Sequence, residues 1–184
     1  MIRVDALDFL KSKITTPNLI NHSLAVEAVM KKLAEHFNED VEAWALAGLL
    51  HDIDYEETKD KPAEHSKLGS QTVREEGVAE DICQAILKHN EIHGLGVETK
   101  MEKALFVADP ITGLIVAATL VVPSRKLVDL TTENVLNRFK EKHFARGANR
   151  DIIGQCENLL GLTLNDFVAL SLEAMQGISD EIGL

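Results

Sequence analysis

Six residues with metal-binding side chains fall on apolar stretches of this chain: His22, His51, Asp52, His65, His89 and Asp109. Neutral imidazole and carboxylate together suit divalent transition metals. Taken singly, a histidine on an inner helical stripe is more often a hydrogen-bonded core residue than a ligand. Asp109, within Val107-Ala108-Asp109, is harder to place that way, because an ionised carboxylate buried without a partner is costly. Six such residues on at least five segments change the balance, since buried imidazoles and carboxylates that share a cation satisfy one another. The pivot is His51-Asp52, at the end of the apolar run Leu49-Leu50. Side chains at i and i+1 diverge around a helix axis, but at a helix end the chain can bend until both converge.

The elements that must position these residues are helical almost throughout, with little β-type alternation. A short helix is expected from Val4 to about Lys13. Thr16-Pro17 reads as an N-cap followed by proline at the first helical position, opening a helix to about Phe37. Its inner stripe is Leu19, His22, Val26, Val29 and Leu33, so His22 points inward. Asn38 or Asp40 caps the next helix, which carries Trp44, Ala47 and Leu50 and delivers His51-Asp52. Asp54 to Lys61 reads as a charged, solvated loop, with Asp54 able to reach a metal-bound water. Pro62 opens a helix ending at Gly77, with His65, Leu68 and Thr72 inward. Another runs from about Ala79 to Asn90 with Ile82, Ala85, Ile86 and His89 on its apolar side. Thr99 and Glu102 form a capping box for the helix bearing Asp109. Pro110 predicts either a kink there or a new helix capped by Asp109. Pro123 stops it, and Ser124-Arg125-Lys126 follow as a loop. Three more helical segments are expected, at about Thr132–His143, Asn149–Leu160 and Thr163–Gly177.

The 184 residues fit one all-α domain with a sizeable core. The metal-binding core spans about 16–122 and a C-terminal helical extension about 123–184. A net charge of −11 makes nucleic acid and anionic membranes poor partners, since both need a basic patch. Cys83 and Cys156 are isolated and read as reduced core thiols. There is no basic start with an apolar run at the N-terminus, and Ala104–Val122 reads as a buried helix rather than a membrane span. The expected location is the cytoplasm.

The order His22, His51-Asp52, Asp109 resembles the HD superfamily of metal-dependent phosphohydrolases, an all-α helical bundle. The surrounding text fits as well: Gly48-Leu-Leu-His-Asp-Ile, Lys88-His-Asn-Glu and Val107-Ala-Asp109. His65 and His89 resemble the extra ligands of the dinuclear branches, among them HDIG-type proteins and dinucleotide hydrolases. The resemblance covers roughly His22 to Leu120, and the C-terminal third is similar only to small stand-alone HD-domain proteins described as predicted hydrolases. An HDIG signature would have glycine where this chain has Asp54.

The resemblance implies two divalent ions per chain, drawn from manganese, iron, cobalt, nickel or zinc, held by His22, His51, Asp52, His65, His89 and Asp109. Asp52 would bridge them, and His51 and Asp52 are the residues most directly tied to catalysis. His22, His51 and Asp109 would complete one site, and His65 and His89 would hold the other. It further implies attack of metal-bound water on a small phosphoester, a nucleotide or dinucleotide. Lys67, Arg125 and Lys126 are candidate phosphate contacts, and Glu91 and His93 candidate lining groups, against an alternative as ordinary surface residues. Arg146 and Arg150 are candidates for a lid. Two other functions fit the same resemblance: a di-iron oxygenase using the six ligands, and a non-catalytic signalling or scaffold domain.

Overall fold

In a computed structural model describing residues 1–184, the chain opens with α1 (Arg3–Lys13), which buries Ala6 and Leu10. α2 (Pro17–Phe37) follows, and its Val26, Val29, Met30 and Leu33 are fully buried. Thr16 precedes it with proline at the first turn, as the sequence predicts, but the Thr16 hydroxyl makes no cap bond. Instead the Glu56 carboxylate accepts the Thr15 and Thr16 amides, at 3.0 and 2.6 Å.

α3 (Val41–Leu50) is capped by Asp40, whose side chain accepts from the Ala43 amide, and ends at His51. It packs along α2. The approach depends on Gly48: a β-carbon there would lie 2.8 Å from the Val26 carbonyl oxygen and 2.9 Å from Glu27 Cα. That contact draws the end of α3 against α2 at Val26 and Glu27, about one turn beyond His22.

The segment expected as a solvated loop holds a short α4 (Tyr55–Thr58), and Asp54 ahead of it is buried. The helix expected from Pro62 begins only at Lys67, as α5 (Lys67–Glu75). Its delay has a local cause. Ser66 adopts a left-handed backbone (φ 67°), and its amide and that of Gly69 both donate to Asp54 Oδ2, at 2.8 and 2.9 Å. Asp54 thus does the work of an N-cap from thirteen residues ahead of the helix start. His65 therefore stands in a turn rather than on a helix face.

α6 (Glu80–Lys88) buries Ile82, Cys83, Ala85 and Ile86 and ends at His89. A 3-10 turn (Glu91–His93) leads to α7 (Lys100–Val121), whose start carries the Thr99/Glu102 capping box. α7 runs through Pro110 as one helix, so no new helix starts there. By length and composition α7 could cross a membrane; here Ala104, Leu105, Val107, Ala108, Ile111, Leu114 and Ile115 are fully buried in the domain core.

A 3-10 turn (Leu127–Asp129) precedes α8 (Thr132–Lys140). The segment expected as one helix after Asn149 divides at Gly154-Gln155 into α9 (Arg150–Ile153) and α10 (Cys156–Leu160). Glycine is a weak helix former. α11 (Leu164–Gln176) packs on α2 and α7, and α12 (Ser179–Ile182) closes against α2. Phe167, Leu172 and Met175 join the same core as α2 and α3, so the fold is a single all-α domain.

Candidate metal centre

His51 ends α3, His89 ends α6, His22 stands in α2, Asp109 in α7, and His65 in the turn before α5. The structure brings all of these to one point around Asp52. His22 Nε2 lies 3.2 Å from His51 Nε2, 3.1 Å from Asp109 Oδ1 and 3.6 Å from Asp52 Oδ2. On the other side, Asp52 Oδ1 lies 3.3 Å from His65 Nε2 and 3.5 Å from both His51 Nε2 and His89 Nε2. The two oxygens of Asp52 therefore face different sets of imidazoles.

The remaining ring nitrogens decide the charge at this point. His51 Nδ1 donates to the Gly48 carbonyl at 2.8 Å, and His89 Nδ1 donates to the Ile86 carbonyl at 2.6 Å. His65 Nδ1 donates to Asp54 Oδ1 at 3.0 Å. Thr112 gives its hydroxyl proton to the Asp109 carbonyl at 2.8 Å and so accepts from His22 Nδ1 at 3.2 Å. Each Nδ1 is thus turned to an outer acceptor, and the four Nε2 atoms face inward. In their neutral form the four rings would present lone pairs there, beside two carboxylates.

Such a set fits a cation. Adjacent ligand atoms of a cation with bonds of about 2.1 Å stand roughly 3.0 Å apart in octahedral geometry and about 3.4 Å apart in tetrahedral geometry. The contacts above lie in that neighbourhood. Two triads, His22/His51/Asp109 and His51/Asp52/His89, each gather ligand atoms within 4.8 Å. The outer partners are of the kind that orient metal-bound histidines.

The electrostatics report the same need for positive charge. Burial opposes a proton on His22, yet the Asp109 and Asp52 carboxylates raise its pKa overall. His51, fully buried among imidazoles, is pushed down to about 4. Burial likewise works against charge on Asp52, but His51, His65 and His89 hold its carboxyl well below the usual range. At His65, burial is outweighed by Asp52 and Asp54, which lift it to about 10. The inner face is closed, since His51 and His89 are buried, while the His22 and Asp109 side chains are 24% and 33% exposed. Access is from their side, through a cavity of about 270 Å³ that they line with Pro110, Gly113, Ala145 and Gly147.

The supporting residues fare differently. Asp54 is not solvated: it is 4% exposed and bonds His65, Ser66 and Gly69. A β-carbon at Gly69 would press on its carboxylate at 3.0 Å. The signal available in the sequence was its departure from glycine in an HDIG-like context. Lys67 is exposed at the first turn of α5 and lines neither cavity near the cluster. Arg125 and Lys126 lie beyond the C-terminus of α7, whose thirteen residues from Asp109 to Val121 rise by roughly 18 Å. The structure does not bring them to the cluster. His93 Nε2 donates to the His65 carbonyl at 2.7 Å and to Ser66 Oγ at 3.0 Å, bracing that turn. Glu91 accepts from Asn149 at 3.2 Å and lines a larger cavity next to the site.

Comparison with known proteins agrees with this geometry. The family model described as HD domain matches residues 19–113. Ribonuclease Y of Nitratidesulfovibrio vulgaris is 29% identical over 140 residues, covering 73% of this chain and 26% of that protein. Ribonuclease Y of Lawsonia intracellularis is 26% identical over 140 residues, covering 74% of this chain and 27% of that protein. Ribonuclease Y 1 of Pediococcus pentosaceus is 31% identical over 91 residues, covering 50% and 17%. The chain thus spans about a quarter or less of the length of these relatives. No solved structure matches the chain significantly.

Proposed function

The chain belongs to the HD domain family, and from that premise we propose that it is a metal-dependent phosphohydrolase acting on a small phosphoester, a nucleotide or dinucleotide. The observation that carries this reading is the convergence of four Nε2 atoms on Asp52 and Asp109, with every Nδ1 turned outward to an acceptor. His22, His51 and Asp109 would hold one divalent ion, His65 and His89 the other, with Asp52 between them. Bound there, the ions supply Lewis acidity and lower the pKa of water towards neutrality.

The chain's own groups do the rest. The Gly48 and Ile86 carbonyls lock two rings in the tautomer that binds metal, and Asp54 and Thr112 do the same for the other two. Buried helix ends exclude water from the inner face. The partly exposed His22 and Asp109 would admit substrate from one side, where Pro110 and Gly113 line the entry. A second reading, cleavage of RNA, is favoured by the ribonuclease Y relatives; the net charge of −11 opposes long RNA as substrate.

The test is elemental analysis of purified protein followed by turnover of a dinucleotide and an RNA 20-mer, under air and under nitrogen. About two equivalents of metal and dinucleotide cleavage in both atmospheres are expected. Failure to take up manganese, iron or zinc on reconstitution would sink the reading. Turnover that requires oxygen would transfer the site to oxygenase chemistry, and cleavage of the 20-mer alone would favour RNA.

A further inference from the structure

The entry cavity at His22 and Asp109 has a neighbour of different character. Gly147 and Ala148 line both. The larger, of about 740 Å³, is built almost wholly from residues 139–151, outside the matched family region, with Glu91 on its far wall. Lys140, Lys142, Arg146 and Arg150 line it against Glu91 and Asp151. That is an excess of positive charge in a chain of net charge −11.

The four cations differ in what they are free to do. Arg150 Nε donates to the Phe139 carbonyl at 3.0 Å, and Nη1 to those of Ala145 and Ala148 at 3.1 and 3.0 Å. Its Nη2 donates to the carbonyls of Arg138, at 3.4 Å, and Phe144. A guanidinium has five N–H groups, and all five are engaged by backbone. Arg150 therefore shapes the loop, including Ala145 in its left-handed conformation (φ 44°), and has nothing left for a ligand. Lys140, Lys142 and Arg146 are exposed and take part in none of the ion pairs or side-chain hydrogen bonds of the chain. Elsewhere Lys32, Arg74, Lys88, Lys100 and Arg138 are each paired with a carboxylate, while the other unpaired cations, such as Lys11, Lys59 and Arg125, line neither cavity. Three unpaired cations thus face a cavity on a loop held in one shape, beside the cluster.

We propose that this cavity is an anion subsite in which Lys140, Lys142 and Arg146 receive a second phosphate of the substrate, next to the one cleaved. The proposal rests on the hydrolase reading and narrows its substrate class to molecules with two or more phosphates, such as a 5′-phosphorylated dinucleotide. Ammonium and guanidinium groups are the donors that phosphate recognition uses. The cavity lies within the range of about 300–1,000 Å³ usual for small-ligand sites.

The test is equilibrium binding of two fluorescently labelled diadenosine dinucleotides, one with a 5′-phosphate and one without, to the metal-loaded protein. Phosphorothioate linkages slow turnover. Wild type is expected to prefer the phosphorylated form by about tenfold or more at low salt. The preference should shrink as salt is raised and vanish in the Lys142→Ala, Arg146→Ala double variant. Equal binding of the two forms, no binding of either, or a preference that survives the double substitution would overturn the subsite. Elemental analysis of the same samples separates the two readings. A metal-loaded wild type without discrimination sinks the subsite alone. A wild type that takes up no metal, yet discriminates in a manner the double variant abolishes, sinks the hydrolase and keeps the subsite.

Discussion

The helical core around α2, α3, α6 and α7 and the loop from Phe139 to Arg150 hold their polar groups by opposite means. In the core, regular backbone positions side chains. The Gly48 and Ile86 carbonyls, three residues before His51 and His89, fix those rings as a consequence of helical geometry. In the loop, one side chain positions irregular backbone: Arg150 gathers five carbonyls, of which those of Phe139, Phe144 and Ala148 have no backbone donor. The comparison teaches where each part is vulnerable. The inner histidines rest on backbone atoms that substitution cannot remove, whereas the loop rests on one replaceable residue.

The largest expected effect is Asp52→Ala. Its Oδ2 faces His22 and its Oδ1 faces His51, His65 and His89, so elemental analysis should find both ions lost and kcat/KM reduced by roughly 10³-fold, a loss of several kcal/mol in transition-state stabilisation. Retention of full metal content would remove Asp52 from its central role.

Next is Arg150→Ala, which leaves several carbonyls without their donor. It should destabilise the protein by about 3 kcal/mol while metal content stays at the wild-type level. Urea unfolding and elemental analysis together check this. A simultaneous loss of metal would show that core and loop are not separately held. Arg150→Lys should recover only part of the stability, because one ammonium lacks the five-donor fork.

Asp54→Asn sharpens the comparison inside the core, at a ligand fixed by a side chain rather than by helix backbone. The amide nitrogen would face the Ser66 or Gly69 N–H groups, and the turn holding His65 would shift. Titration calorimetry should show one ion bound as before and the other weakened by about 10–100-fold. Equal weakening of both would assign Asp54 to the fold at large.

The smallest effect concerns pH. Burial works against charge on Glu102, but the Glu98 and Thr99 amides and Lys88 hold its pKa below 4.5. The unfolded chain takes up that proton first as pH falls. Stability from Glu102 is therefore present in full above pH 4.5 and lost as pH drops through the folded value. Urea melts between pH 6 and 3 should show a steeper decline for wild type than for Glu102→Gln. Parallel declines would dismiss the contribution.

Much of the helical plan was legible in the sequence, because apolar periodicity records which face of each helix is buried. It placed His22, His51 and Asp109 inward, and Thr99 with Glu102 announced the start of α7. Periodicity failed at residues 62–66, where the pattern reads as helix and Asp54 instead holds a turn with Ser66 left-handed. It also failed at Asp54 itself, since a carboxylate among Asp, Tyr and Glu looks solvated until its three donors are known. Arg125-Lys126 stood out as a basic pair in a loop, yet α7 carries them away from the cluster.

What the sequence by itself determined is the set of helices and the supply of imidazoles and carboxylates on their inner faces, because burial leaves a local pattern. What only the tertiary structure decided is which of these groups meet and which cations share their cavity. His22 and Asp109 are 87 positions apart, and Arg146 reaches the entry cavity's neighbour only because α8 and α9 fold back across α7. Electrostatic partnership depends on distance in space, and a local pattern along the chain carries no record of it.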